Sequence, residues 1–372
     1  MKRKFNVINY LATFLFTVAF VVLAVLFFQE KYALEIKSGI LYFAIGLVVS
    51  GFVCALVHEL GHLLFGKLNG FVLSSFTVWF FRWVRQDEKL KFSFTFSLDE
   101  AGSTEMIKKN TNNLKKGLKN MTVGGLVFSF ISLLFGVPVL FLQVPYWLYC
   151  ILVTFLPIGA YFFVGNLFPA SEGGARNDGG VLYGLKHDDD ETKVTLSLLA
   201  IQSELYSGKT FLEIDEKYFF DLPQLPEDSL NFITLLSYRY NYCLDKGDFE
   251  NAKKITDRLL SLQEYMPKYF IYAIKTDALY NACTFNFNDK VADELMYELE
   301  NQLNKDKSPT SYRVRLAYIL AITGEKEMTE LFYKRALKVA NKCHLSGLKR
   351  FETKLIEELK EKLIRIKVLT LL

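Results

Sequence analysis

Paired cysteines are missing from this sequence. Its five, Cys54, Cys150, Cys243, Cys283 and Cys343, have no C-x-x-C spacing and two lie inside apolar runs, so there is no basis for a disulfide framework or a cysteine zinc site. Charge of one sign is also lacking. A net +4, from 44 basic and 40 acidic residues, is too small to argue for nucleic acid as a partner. The basic residues sit mainly beside apolar spans, where they set topology. The N-terminal MKRKFNVINYLATFLFTVAFVVLAVLFF has the basic start of a signal peptide but lacks a small-residue cleavage site, and its apolar stretch is too long. It reads as a retained membrane anchor, residues 1–38. Long apolar runs, finally, are absent after about residue 170, where Lys, Glu, Asp, Asn and Tyr take over. The chain divides into a membrane half and a polar half.

In the first half, four segments suffice to cross a hydrocarbon core of roughly 30 Å as helices: about 7–28, 39–66, 121–142 and 146–168. The loop 67–120 carries ten Lys or Arg from Lys67 to Lys119, whereas 29–38 has Lys31 and Lys37 and the turn Gln143–Val144–Pro145 has none. That bias places the loop and both termini on the cytoplasmic side of a multi-pass protein, with the lipid bilayer as partner.

Between the second and third spans, FVLSSFTVWFFRWV and KLKFSFTFSL are β-branched and aromatic, and QDE supplies a turn, which predicts a β-hairpin over about 71–98. Trp79, Phe80, Phe81 and Trp83 beside Arg82 and Arg85 suit a bilayer interface as well as a small packed sheet. Residues 191–228 read as a linker. From 229 to 372 the pattern is polar and helical. LDKGDFENAKKITDRLLSL (244–262) and AITGEKEMTELFYKRALKV (321–339) resemble one another, with NFNDKVADELMYELENQL (286–303) as a third unit between them. The interval predicts a tetratricopeptide-like helical-repeat domain. The fold expected is therefore mainly α, a polytopic membrane bundle with a small membrane-associated β-hairpin and a cytoplasmic repeat domain.

One oily stretch carries charge. CALVHELGHLLFGK, residues 54–67, holds His58, Glu59 and His62 as H-E-x-x-H. Positions four apart nearly superpose on one face of a helix, so both imidazoles can bind one zinc ion. Glu59 stands one step around, within reach of a zinc-bound water as general base. A chance match is expected on the order of once in a hundred chains of this length. The motif's centre lies about 10 Å before Lys67, inside the cytoplasmic leaflet, where such groups need mutual compensation.

Two histidines leave a catalytic zinc one protein ligand short. Asp99, Glu172, Asp178, His187 and the run Asp188, Asp189 and Asp190 are candidates. Topology favours the region after the fourth span, GNLFPASEGGARNDGGVLYGL (165–185), where Asp178 precedes two glycines. A plainer role for Asp178 is to cap the next helix, and 188–190 read as a solvated helix start.

With these residues in view, the chain resembles the site-2 protease family of intramembrane zinc metalloproteases. The resemblance rests on His58-Glu59-Leu60-Gly61-His62, Asn166-Leu167-Phe168-Pro169 and Asp178-Gly179, and covers about residues 39–185. VGGLVFSF (123–130) is similar to the family's glycine-containing helix, and AGSTEM (101–106) falls where its membrane-associated β region ends. The interval from Pro169 to Asp178 matches the longer-loop variant of some bacterial members. The resemblance implies a protease core over 39–190, zinc held by His58, His62 and Asp178, and Glu59 as base. Asn166 is expected either to hydrogen-bond substrate or to cap the broken helix end.

The reading that follows is an intramembrane zinc endopeptidase of a bacterial cell membrane. Its substrate would be a membrane-embedded protein or peptide, and the repeats would engage a cytoplasmic protein. The competing reading is a non-proteolytic binding or immunity protein that retains the zinc site. Retention of the base and of every ligand favours the enzyme.

Overall fold

The structure, a computed structural model, describes residues 2–32, 39–86, 89–94, 101–172, 175–266 and 268–369. It is mainly helical with a small antiparallel sheet, and it divides into two compact units near Thr192.

The first unit begins with α1 (Lys2–Tyr32) and α2 (Ile40–Leu68). A sheet follows, then α3 (Leu114–Val139), α4 (Tyr146–Leu152) and α5 (Phe155–Leu167). Among the described residues, four stretches are long and apolar enough to cross a membrane: Phe5–Tyr32, Ile40–Leu68, Leu114–Val139 and Tyr146–Leu167. The third starts before the expected 121, because Leu114 to Asn120 add a polar first part to the same helix. The fourth is broken between α4 and α5. Pro157 has no N–H to offer the Val153 carbonyl, which accepts from Leu156 instead, and Thr154 Oγ donates to Ile151 O.

Close approach fixes how α2 and α3 cross. A Cβ on Gly61 would stand 2.3 Å from the Gly124 carbonyl oxygen, and one on Gly124 would stand 2.5 Å from that of Gly61. Only hydrogen fits at either position, as in other small-residue helix crossings.

The expected hairpin is a four-stranded antiparallel sheet of order β3-β2-β1-β4, from β1 (Phe71–Val78), β2 (Phe81–Gln86), β3 (Lys89–Phe94) and β4 (Gly102–Lys108). What reads as one strand over 71–84 folds back at Trp79–Phe80, pairing Val78 with Phe81 and Ser75 with Val84. Trp79 turns with φ 51°, a conformation a bulky residue rarely adopts, and packs its ring on Phe52 of α2 at 5.7 Å. Tertiary packing thus supplies a turn that the local sequence does not announce. Phe71, Leu73, Phe76, Val78 and Met106 bury against Ala55 of α2. The sheet therefore sits on the helix that carries the histidines.

After α5 come two-residue strands β5 (Ser171–Glu172) and β6 (Ala175–Arg176), then α6 (Asp178–His187) and α7 (Asp190–Ser207).

In the second unit, α8 (Lys217–Phe220) precedes α9 (Leu230–Lys246), α10 (Phe249–Ser261), α11 (Lys268–Thr284), α12 (Asp289–Lys305), α13 (Pro309–Tyr318), α14 (Lys326–Ala340) and α15 (Ser346–Leu369), each of α9 to α15 packing on the next. The mutually similar segments fall on α10, α12 and α14. Residues 191–228, expected as a linker, are instead structured. α7 fills much of that span, and Ile201, Leu205, Phe211, Ile214 and Phe219 are buried in the same core as Leu279 and Phe351. Beyond α7 the apolar positions are spread over a 3-10 turn and one four-residue helix, too briefly for a sustained period to stand out.

Candidate metal centre

His58 and His62 lie one turn apart on α2 with their Nε2 atoms 3.1 Å from each other. Asp178, the first residue of α6, brings Oδ2 to 3.6 Å from His58 Nε2 and 3.4 Å from His62 Nε2. In a tetrahedral zinc site with ligand bonds near 2.0–2.2 Å, donor atoms stand about 3.3 Å apart, so these three form one face of such a site. The second test is electrostatic. Asp178 Oδ2 is buried with no hydrogen-bond partner, an orphan acceptor facing two imidazole nitrogens. A divalent cation satisfies all three at once, and the donor set fits zinc.

The outer ring nitrogens are held in place. His62 Nδ1–H donates to the Met121 carbonyl at 3.0 Å, which leaves the Nε2 lone pair pointing inward. His58 Nδ1 meets Ser129 Oγ at 2.8 Å. Both partners come from α3, the helix that crosses α2 at Gly61 and Gly124. Gly125, next along, makes room for the centre itself. A Cβ there would fall 2.3 Å from His62 Cε1 and 2.9 Å from Asp178 Oδ2.

Glu59 is buried beside the pair, and its Oε2 accepts from Thr104 Oγ at 2.6 Å. Thr104 belongs to β4, so the sheet fixes the carboxylate. At Gly102 of the same strand, a Cβ would stand 2.8 Å from Glu59 Oε1. A carboxylate so held can take and return a proton next to the three donors.

Asp178 is free for this role because another residue caps α6. Asn177 Oδ1 accepts from Gly180 N at 2.9 Å. It also accepts from Ala170 N at 2.8 Å, while Nδ2 donates to the Gly165 and Phe168 carbonyls at 2.7 and 2.8 Å.

The other candidates for the third ligand whose side chains the structure describes are engaged elsewhere. His187 Nδ1–H donates to the Tyr183 carbonyl, and its ring stacks on Tyr183 at 4.0 Å. Asp188 pairs with Lys115 at 2.7 Å. Asp189 takes Arg176 at 2.9 Å and caps α7 through Thr192 N at 3.0 Å; burial pushes its carboxyl up, but the Arg176 and Thr192 hydrogen bonds prevail and hold it below the usual range. Asp190 lies in the first turn of α7. Asp99 is outside the described residues, and of Glu172 only the backbone, in β5, is described. Asn166 donates its amide to the Phe162 carbonyl at 2.9 Å, one turn back in α5.

Among the described residues, His58, His62 and Asp178 are the group of side chains placed to share one metal ion. Sequence reasoning misses Thr104, Met121, Gly125, Ser129 and Asn177. The signal available for Ser129 was a small hydroxyl in an apolar helix, and for Asn177 its place two residues before paired glycines. Comparison with protein-family models, with curated proteins and with solved structures finds no match for the chain.

Proposed function

We propose that this chain is an intramembrane zinc endopeptidase of the site-2 protease type, cutting a peptide bond in or near a membrane-embedded segment. One observation carries the reading: the unpartnered Asp178 Oδ2, at the start of α6, converges with His58 Nε2 and His62 Nε2 on α2, a helix apolar enough to cross a membrane, with Glu59 alongside. Zinc at such a site supplies carbonyl polarisation and a water acidic near pH 7. Glu59, steadied by Thr104, accepts the proton of the attacking water and passes it to the leaving amine. The scissile segment must be unwound, since a helix hides its carbonyls in hydrogen bonds. β4 is an edge of the sheet and carries the Thr104 that touches Glu59, which suits an extended segment laid beside it. Asn166 is a further group for the substrate backbone.

The remaining assignments belong to the same proposal. The protein spans a bacterial cell membrane four times with both termini cytoplasmic, and its second unit is tetratricopeptide-like and receives a cytoplasmic protein. The decisive experiment compares membrane proteomes of cells carrying wild type and Glu59→Gln. Gln keeps the shape of the side chain but cannot accept a proton, so an uncleaved membrane protein accumulates in the variant. Identical proteomes under conditions where the protein is made would sink the proposal.

A further inference from the structure

The apolar helix α1 holds two asparagines on the face turned to α5, and neither belongs to an anchor. The Asn9 side chain is buried, and its Nδ2 donates to Gly165 O at 2.8 Å and to Phe168 O at 2.7 Å. Asn6, three residues earlier, reads the backbone of Ser171 in both directions: Nδ2 donates to Ser171 O at 2.6 Å and Oδ1 accepts from Ser171 N at 2.9 Å.

The acceptors explain why these asparagines are there. In a continuing helix the Gly165 carbonyl would accept from the N–H four residues on, but that residue is Pro169, which has none. Phe168 is the C-cap, beyond which the helix ends. Two carbonyls are thereby orphaned at the end of an apolar helix, where water is scarce and an unmet acceptor is costly. Asn177 meets both from one side, and Asn9 meets the same two from the other. Asn177 is the residue before Asp178.

We infer that Asn9, supported by Asn6, is a positioning residue for the metal centre. It fixes the broken end of α5, through those shared carbonyls it fixes Asn177, and so it sets where Asp178 Oδ2 stands relative to the two imidazoles. α1 is then a working part of the centre rather than a tether. The remaining buried hydroxyls on this face, Thr13 and Thr17, have no hydrogen-bond partner and offer an internal control.

This inference rests on the metal-site reading above, and the test separates the two. Full-length wild type, Asn9→Leu, Asn9→Gln, Asn6→Ala and Thr13→Val are purified in detergent, stripped, and titrated with Zn2+ and with Co2+, whose visible spectrum reports the arrangement of its ligands. Asn9→Leu is expected to weaken zinc binding about tenfold, in the range found when a group orienting a metal ligand is lost, and to alter the cobalt spectrum. Asn9→Gln restores part of both, Asn6→Ala shows a smaller loss, and Thr13→Val matches wild type. If Asn9→Leu binds zinc like wild type with an unchanged cobalt spectrum, the inference falls while the metal site stands. If Asn9→Leu does not fold, Asn6→Ala decides alone, and wild-type affinity and spectrum there overturn the inference. A wild type that takes up neither ion defeats the metal reading and this inference with it.

Discussion

At Gly125 the missing side chain is what lets His62 and Asp178 meet. An alanine methyl would lie 2.3 Å from His62 Cε1, and His62 cannot swing aside without giving up its bond to the Met121 carbonyl. Gly125→Ala should therefore leave the helices inserted but weaken zinc binding by about tenfold or more, measured by competition with a chromophoric chelator. Affinity equal to wild type would mean the centre is looser than its distances indicate. His58, Glu59 and His62 were legible in the sequence because a helix brings positions four apart onto one face, a local rule. Ser129 and Thr104 were not, because they reach the motif from 71 and 45 residues away, and no local rule pairs them.

The same division holds among elements. The four apolar stretches were readable from composition, since length and hydropathy alone define them. The turn at Trp79 was hidden because packing on α2 imposes it on a residue that disfavours it. In the second unit, α13 and α15 are joined by a buried ion pair no spacing announces: Arg313 Nε donates to Glu352 Oε2 at 2.7 Å, and Thr310 Oγ donates to Glu352 Oε1 at 2.6 Å. Glu352→Ala strands a buried guanidinium and should destabilise this unit by about 3–5 kcal/mol in denaturant unfolding. Arg313→Met with Glu352→Leu should lose much less, because no charge is left behind. Equal losses would show that the carboxylate mattered for packing alone.

Asp277 of α11 lies in the field of the same pair. Burial raises its carboxyl from 3.8 to about 7, with Arg313 opposing and Glu352 adding to the rise. Between those two values the folded state holds a proton that the unfolded state has released, so stability falls as pH rises from about 4 to about 7 and levels off above. Urea unfolding of residues 193–369, followed by circular dichroism, should show its midpoint dropping across that window. Asp277→Asn should flatten the dependence. A slope unaltered by Asp277→Asn would assign it to other groups.

For the whole molecule, the division near Thr192 separates the three side chains placed to share a metal ion from every helix of α9 to α15. His344 is the one histidine beyond residue 192, and among the described residues the second unit adds no side chain to the group that could hold a metal. Its helices are amphipathic, burying Leu235, Leu259, Leu299 and Phe332 while Lys and Glu face outward. The chain cut after residue 192 should therefore bind zinc with the affinity of the full chain. If the second unit recruits substrate, the shortened protein should cleave its native substrate far less than the full chain does, yet retain most of its activity on a generic membrane peptide. That difference separates recruitment from support. Equal losses on both substrates would reduce the second unit to a stabiliser of the first, and a loss of zinc binding would contradict the autonomy its separate core implies.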